Sequence, residues 1–307
     1  MAAAQDPTQR LDLVLRALAA RIADASPGTM PGIEVVTAGR DAVEILFDGD
    51  LDVPYGPFEV TAEGRCWTLG ASVTVEELAS MGDGQASPAP ALVTVGTVGG
   101  RQVLIDLEAT PRLLVDAEDD RASALVWSFA AELATSRLAD DVEVIVVGDA
   151  VPAVGRLERS KVVASISDVI DNIERSASCT EADLRAAGAG STMAARVSDP
   201  GESWVPTIVL LSRTGNGSDF DRLMAAATPG RALAVVVVGS DPAGFDRHLR
   251  VEGVVSELLP LGLRMDSSAI DPDQLDAVDD LLNTALSEEP GDELVKELRP
   301  TEPMAPE

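Results

Sequence analysis

The sequence contains few of the residues on which most catalytic and metal-binding sites depend. Its 307 residues include one histidine, two cysteines and two lysines, and aromatic residues make up only 3%. Cys66 and Cys179 each stand alone, which argues against a disulfide framework or a cysteine-based metal site. No Gly-x-Ser-x-Gly motif accompanies the single histidine, His248, so no Ser-His-Asp arrangement is indicated. The sequence therefore predicts no catalytic residues, no metal ligands and no cofactor.

Basic residues are also scarce. Lys and Arg together number 23 against 52 Asp and Glu, which gives a formal net charge of −29. Nucleic-acid binding draws its affinity mainly from neutralised phosphates, so this balance argues against a nucleic-acid partner and against an anionic membrane surface. A role in solubility explains the acidity well, and a specific cationic partner is the alternative.

Long hydrophobic segments are absent as well. The longest apolar run, 232–238, is far below the roughly 20 residues that a membrane helix needs. The N-terminus has no basic region followed by an apolar core, so no signal peptide is predicted. With two isolated cysteines, these observations predict a cytoplasmic protein without direct membrane insertion, and any membrane anchor would lie outside this chain.

Hydrophobic periodicity predicts two domains and a tail. One amphipathic helix at 8–25 and three strands indicate a small α+β domain over residues 1–85, which a Gly-, Pro- and Ser-containing linker at 82–90 separates from the rest. Residues 91–287 are predicted to form an α/β domain with a mainly parallel sheet and flanking helices. The acidic residues 288–307 are predicted to be a disordered tail.

Within the second domain, the stretch 112–148 is predicted to be strand, turn, helix and strand, which is a βαβ unit. Later strands are predicted at 207–211 and 232–238, and a hairpin at 248–258 is placed at the sheet edge, with His248 exposed. Helices are expected at 167–176, at 180–187 and at 273–287, the second of them capped by Thr180 beside Cys179, and 188–203 is expected to be mobile.

Ligands of open parallel sheets bind outside the carboxyl ends of the strands. Three of the four predicted strand ends are acidic, which disfavours phosphate and is compatible with a divalent cation or an arginine-rich partner segment, although solvated loops are a simpler explanation of the pattern than a cation site. The acidic turn after the first strand also suits the positive end of the following helix dipole. The residues of this predicted crevice or partner surface are Asp116, Glu118, Asp119, Asp120, Asp149, Arg213 and Asp241.

The order of elements in residues 91–287 resembles a P-loop nucleoside-triphosphatase core of the FtsK type. In that family a Gly-rich loop holding a lysine joins the first strand to its helix, and a later strand ends in an acidic residue that helps to hold magnesium. Here Asp116–Asp120 stand in place of the loop, and Ser212 and Arg213 follow the strand 207–211. The resemblance therefore implies a degenerate P-loop fold that lacks the Walker motifs, a pseudo-ATPase.

A second resemblance rests on four short sequence segments, Ala91–Gly96, Val103–Glu108, Asp119–Ala122 and Ala131–Ala134. They are similar to the uncharacterised cytoplasmic region of actinobacterial LysM proteins, many of which carry a bacterial transcriptional activation domain. Together the observations predict a non-catalytic protein-interaction or regulatory module, with a protein partner, in an envelope-associated assembly. The alternative is a nucleotide or divalent-cation sensor that uses the acidic crevice.

Overall fold

A computed structural model describes residues 7–26, 28–50, 56–61, 64–138, 141–148, 155, 157–199 and 204–268, together with 280 and 284. Helices separate groups of strands along this part of the chain. The helices are α1 (Pro7–Ala25), α2 (Val75–Met81), α3 (Asp119–Thr135), α4 (Ile170–Ala187), α5 (Thr192–Ser198) and α6 (Ser218–Ala226). The strands are β1 (Ile33–Ala38), β2 (Ala42–Phe47), β3 (Glu59–Val60), β4 (Cys66–Gly70), β5 (Leu92–Val98), β6 (Arg101–Asp106), β7 (Arg112–Asp116), β8 (Glu143–Val147), β9 (Ser160–Val163), β10 (Thr207–Leu211), β11 (Leu233–Val238), β12 (Arg247–Glu252), β13 (Val255–Leu259) and β14 (Leu263–Ser267).

The strands form one mixed sheet of 14 strands in the order β3-β4-β2-β1-β6-β5-β14-β13-β12-β7-β11-β10-β8-β9. The last six strands of this order pair in parallel, and the remaining pairs are antiparallel. The predicted α/β fold with flanking helices is confirmed, and β7, α3 and β8 supply the predicted βαβ unit.

The central parallel strands β8, β10 and β11 are buried on both faces, which explains their continuous apolar sequences. Ile208 and Leu210 of β10 pack into a core with Phe129 of α3. The alternate residues Val209 and Leu211 pack on the opposite face of the sheet, in a core that α4 and α6 cover. Successive side chains of a strand point to opposite faces, so a strand between two helical layers needs apolar residues at every position.

The N-terminal elements share the sheet with the rest of the chain, because β1 pairs with β6. Their core also includes Met193 and Val197 of α5. Within the predicted linker 82–90, Ser87 and Ala89 are buried. The division into two domains at this linker remains a prediction, while the sheet and one core run across it.

Several predictions of local structure are wrong. Predicted helices at 167–176 and 180–187 are one helix, α4, after a short 3₁₀ turn at Ile166–Asp168. Thr180 and Cys179 consequently lie in mid-helix and not at a helix N-terminus. The stretch predicted to be mobile, 188–203, contains α5, whose six residues from Thr192 to Val197 are buried.

The predicted hairpin of β12 and β13 forms, but it is not at the sheet edge. Strand β12 pairs with β7 on its other side, in the interior of the sheet. His248, predicted to be exposed, is therefore buried, with 9% of its surface accessible. The predicted helix at 273–287 and the predicted tail at 288–307 lie outside the described residues, apart from positions 280 and 284.

Candidate functional site

The carboxyl ends of β7, β10 and β11 open onto a crevice of about 710 Å³. These ends meet because the three strands run in parallel and in matched register, with Val115 beside Val238 and Leu211 beside Val237. We call this cavity the strand-end crevice. Its polar lining consists of Asp116, Asp120, Ser123, Ser212, Arg213, Thr214 and Ser240. This is the position at which open parallel sheets hold ligands.

The turn on one side of the crevice is short. Strand β7 ends at Asp116 and α3 begins at Asp119, so only Ala117 and Glu118 connect them. Glu118 caps the helix through its backbone carbonyl, which accepts a hydrogen bond from the N–H of Ala122 at 2.8 Å, and its side chain makes no cap hydrogen bond. Carboxylates in the first turn offset the partial positive charge of a helix N-terminus. This turn is shorter than the glycine-rich loops that hold phosphate, and it places carboxylates at the helix N-terminus.

Asp116 is held in place by the only histidine. His248 Nε2 lies 3.2 Å from Asp116 Oδ2, and the His248 side chain is 11% exposed. The contact arises because β12 lies beside β7, with Arg250 in register with Asp116. Sequence reasoning missed this pairing, since 132 residues separate the two side chains and nothing near His248 marks its strand as internal.

The loop after β10 brings an arginine to the crevice. Arg213 is exposed and forms no ion pair with any residue that the structure describes. It also lines a neighbouring cleft of about 480 Å³, which includes Ser165 and Asn216. The next residue, Thr214, donates a hydrogen bond from Oγ1 to the carbonyl of Val238 at 2.9 Å, which fastens this loop to the end of β11.

The structure brings together only part of the predicted surface. Asp116, Asp120 and Arg213 line the crevice, whereas Glu118 is exposed on the turn. Asp241 points into its own loop, where Oδ1 accepts a hydrogen bond from the N–H of Ala243 at 3.0 Å. The side chain of Asp119 and the whole of Asp149 lie outside the described part of the chain.

The predicted surface did not include the hydroxyl groups of the crevice, although Ser212 and Ser240 lie at predicted strand ends. Ser123 lies one helical turn into α3, and Ser212, Thr214 and Ser240 lie within three residues of the ends of the buried strands β10 and β11. The position after a strand was the available signal, although serine and threonine are so common in loops that they carried little weight. Within the described ranges, no group of three or more His, Cys, Asp or Glu side chains is arranged to hold a metal ion.

A second polar cluster lies inside the molecule, away from the crevice. Glu108 and Arg196 form a buried ion pair, with 1% and 6% of their side chains exposed and 3.0 Å between Oε2 and Nη1. Thr192 Oγ1 donates to Glu108 Oε1 at 2.7 Å. Burial, and secondly the charge of Glu108, raise the pKa of neighbouring Asp106 well above its usual range. Sequence reasoning missed the cluster because it placed Arg196 in a mobile stretch.

Comparisons with known proteins yield matches of overall fold alone. No family model and no curated protein matches the chain, so the resemblance to LysM proteins remains a prediction. The solved structure of the pCW3 conjugation coupling protein TcpA, in its monomer form with ATPgS, is similar at 12% identity and a TM-score of 0.45 over 86% of this chain and 99% of that one.

Two further structures match a smaller share of their own length. The cytoplasmic domain of the type VII secretion ATPase EccC from Thermomonospora curvata is 12% identical, with a TM-score of 0.44, and the match covers 72% of this chain and 35% of that one. ATPases 2 and 3 of EssC from Geobacillus thermodenitrificans are 10% identical, with a TM-score of 0.47, over 72% and 52% of the two chains. The chain thus spans about a third and about half of the length of these two structures.

No helix in the described part of the chain is both long and apolar enough to cross a membrane.

Proposed function

We propose that this chain is a non-catalytic protein-interaction or regulatory module built on a fold like that of nucleoside triphosphatases. The observation that carries the proposal is the β7–α3 turn. Two residues connect the strand and the helix, and acidic residues occupy positions 116, 118, 119 and 120. A triphosphate at this helix N-terminus would meet negative charge where phosphate-binding turns present backbone amides.

The end of β10 supports the same proposal. In a working triphosphatase of the type described above, an acidic residue at this position helps to hold magnesium. Ser212 and Arg213 occupy it here, and a guanidinium repels a divalent cation. Both sides of the strand-end crevice therefore lack a group that nucleotide hydrolysis depends on.

The crevice is better suited to side chains of a protein partner. Asp116 and Asp120 can accept hydrogen bonds from an arginine or a lysine, and Arg213, which forms no ion pair with a described residue, can bind a carboxylate. A segment that carries both charges would satisfy the two sides at once. We place this function in the cytoplasm, in an envelope-associated assembly, in keeping with the resemblance described from the sequence.

Calorimetric titration with ATP and GTP, with and without magnesium, tests the non-catalytic part of this proposal. We expect no heat of binding and no release of phosphate. Micromolar binding, or turnover that the double substitution Asp119→Ala and Asp120→Ala abolishes, would overturn it.

Affinity capture tests the role in protein interaction. The triple variant Asp116→Asn, Asp120→Asn and Arg213→Ala should lose partners that the native chain retains, because all three charges that line the crevice are removed. Glu252→Gln, which removes one exposed carboxylate from β12, serves as the matched control and should retain the same partners. Identical captured proteins from the triple variant and the native chain would contradict the assignment of the crevice as the partner surface.

A nucleotide or divalent-cation sensor is the alternative, and the lining of the crevice is what favours it. Two carboxylates and four hydroxyl groups face about 710 Å³ of open space, and magnesium and calcium prefer oxygen ligands. Titration with magnesium chloride alone distinguishes this alternative. Saturable binding that Asp116→Asn and Asp120→Asn weaken would support the sensor.

A further inference from the structure

The only histidine of the chain lies behind one wall of the strand-end crevice. His248 Nε2 is 3.2 Å from Oδ2 of Asp116, and Asp116 lines the crevice whereas His248 does not. The two side chains also differ in burial, since 11% of the His248 side chain and 34% of the Asp116 side chain are exposed. The imidazole therefore acts on the crevice through Asp116.

Strand pairing brings these two side chains together. Strands β12 and β7 are parallel, with His248 in register with Leu114 and Arg250 in register with Asp116. Side chains two residues apart on a strand share a face of the sheet, so His248 and Asp116 lie on the same face and meet diagonally. On its other side, His248 is in register with the apolar Leu259 of β13. Asp116 is thus the polar neighbour of the imidazole on the adjoining strands.

The hydrogen bond determines which imidazole nitrogen carries the proton. A carboxylate only accepts hydrogen bonds, so Nε2 of His248 donates to Asp116. Nδ1 makes no hydrogen bond with any residue that the structure describes, so it can take up a second proton while the contact with Asp116 is kept. That contact then becomes an ion pair. Histidine is the side chain that ordinarily gains its charge between about pH 8 and pH 5.

The other charged groups on these strands are already paired with one another. On the same face as His248, Arg250 forms an ion pair with Glu257 of β13, at 3.7 Å between Nη1 and Oε2. At the start of β7 and β12, Arg112 pairs with Asp246 at 2.7 Å. These two pairs carry no net charge, so they leave the charge of His248 uncompensated except by Asp116.

The crevice itself contributes two further charges, those of Asp120 and Arg213. Both are exposed, as is Glu118 on the turn outside this lining. With a neutral imidazole, the carboxylates of Asp116 and Asp120 outnumber the one guanidinium, and the wall is net negative. A protonated His248 adds a second positive charge and makes the same wall neutral. The charge of one buried side chain therefore decides how strongly the crevice attracts a cation.

We propose that His248 is a positioning residue that makes the binding of a partner arginine at the strand-end crevice depend on pH. This inference rests on the function proposed above, in which the crevice binds side chains of a protein partner. The neutral imidazole orients Asp116 through Oδ2 and leaves Oδ1 for a guanidinium, whereas the imidazolium neutralises this carboxylate and repels the guanidinium. An arginine is the occupant because its five N–H donors can reach two carboxylates and the neighbouring hydroxyl groups.

Solution NMR of the intact chain, deuterated and labelled with ¹⁵N, tests this role. The probe is Nα-acetyl-arginine methylamide, and its uncharged isostere Nα-acetyl-citrulline methylamide is the control. The backbone amide signals of Ser123 and Ser240, which line the crevice, report binding in every variant. Affinity for the arginine probe should fall about fivefold from about pH 8 to about pH 5.5, as expected when one partly exposed carboxylate is neutralised. The citrulline probe should show no such change.

The variant His248→Gln separates protonation from the hydrogen bond. Glutamine can donate an amide N–H to Asp116 from nearly the position of Nε2, but it does not titrate. The affinity of this variant for the arginine probe should therefore be the same at both pH values. Glu252→Gln is the matched control, because it removes an exposed carboxylate from the same strand. It should retain the affinity and the pH dependence of the native chain.

The single imidazole signal provides an independent measurement, because no other histidine contributes to it. With the imidazole Cε1 labelled with ¹³C, the position of this signal follows the protonation of His248. Binding and protonation oppose each other, so a saturating concentration of the arginine probe should move this change to lower pH. The citrulline probe should not move it.

Each outcome decides for or against the role of His248. A pH-dependent affinity in the native chain that His248→Gln abolishes supports it. An affinity that Asp116→Asn weakens but that is equal at both pH values overturns it, and leaves the crevice as the partner surface. A pH dependence that persists in His248→Gln also overturns it, and assigns the effect to acids such as Asp106 and Glu132, whose pKa burial raises. No binding of the arginine probe at either pH overturns both this inference and the crevice as a partner surface.

Discussion

Replacing Arg196 by methionine should destabilise the protein strongly, because it leaves a buried charge without its partner. Besides the ion pair with Glu108, the guanidinium donates to the carbonyl of Pro88 at 2.9 Å and to that of Trp204 at 2.6 Å. Breaking a buried ion pair from one side costs about 3–5 kcal/mol, since the remaining charge stays desolvated. After the substitution, Glu108 keeps Thr192 as its donor and lies close to Asp106.

Urea unfolding followed by circular dichroism measures this loss of unfolding free energy. A double variant, Arg196→Met with Glu108→Gln, should be more stable than the sum of the two single effects predicts, because the glutamine leaves no buried charge behind. Arg222→Met is the matched control. It removes ion pairs to Asp171, Glu174 and Asp219, but these are exposed, so the midpoint should change little.

Two results would refute this reasoning. The first is a free energy of unfolding for Arg196→Met within about 1 kcal/mol of that of the native chain. Water or a rearrangement would then compensate the charge of Glu108, and the ion pair would not behave as a buried one. An equally large loss in Arg222→Met would mean that burial does not distinguish the two arginines.

Three further predictions concern single positions. Asp106→Asn should become more stabilising relative to the native chain as the pH rises above about 4, where aspartate ionises in the unfolded chain. Burial, and secondly the charge of Glu108, raise the pKa of the folded Asp106, so ionisation of this group in the unfolded chain lowers the stability of the native protein but not that of the asparagine variant. Parallel urea titrations at several pH values measure this, and a constant difference would contradict it. Thr74→Ala should lower the free energy of unfolding by about 1 kcal/mol, because it removes the capping box with Glu77 at the start of α2. The control Thr74→Ser should retain most of the stability. Gly239→Ala should lower the free energy of unfolding by about 1–3 kcal/mol, because the alanine Cβ would lie 2.2 Å from Thr214 Oγ1. Adding Thr214→Ala should recover this loss, and a failure to recover it would show that the contact is not the cause.

The parallel half of the fold was predictable because its signals are local. A strand covered on both faces must be apolar at every position, and the runs at 207–211 and 232–238 meet that requirement within their own sequence. The acidic turn at Asp116–Asp120 could be placed at a strand end because an apolar run of the same kind comes directly before it.

Helix boundaries were less predictable where tertiary packing decides them. Thr180 and Glu181 together look like the start of a helix, but α4 already runs from Ile170, and its buried residues Ile173 and Leu184 lie on both sides of that position. Helix α5 has only seven residues, and a peptide of that length would not be a stable helix on its own. It forms where it is enclosed by other elements.

Composition and periodicity by themselves determined an acidic α/β chain with a parallel core and an acidic strand-end turn. Only the tertiary structure decided that His248 lies beside Asp116 and that Glu108 pairs with Arg196. Each of these contacts joins residues far apart in the chain, and no local preference encodes which loops meet. Strand order and register bring them together, and both are set by the packing of the whole sheet.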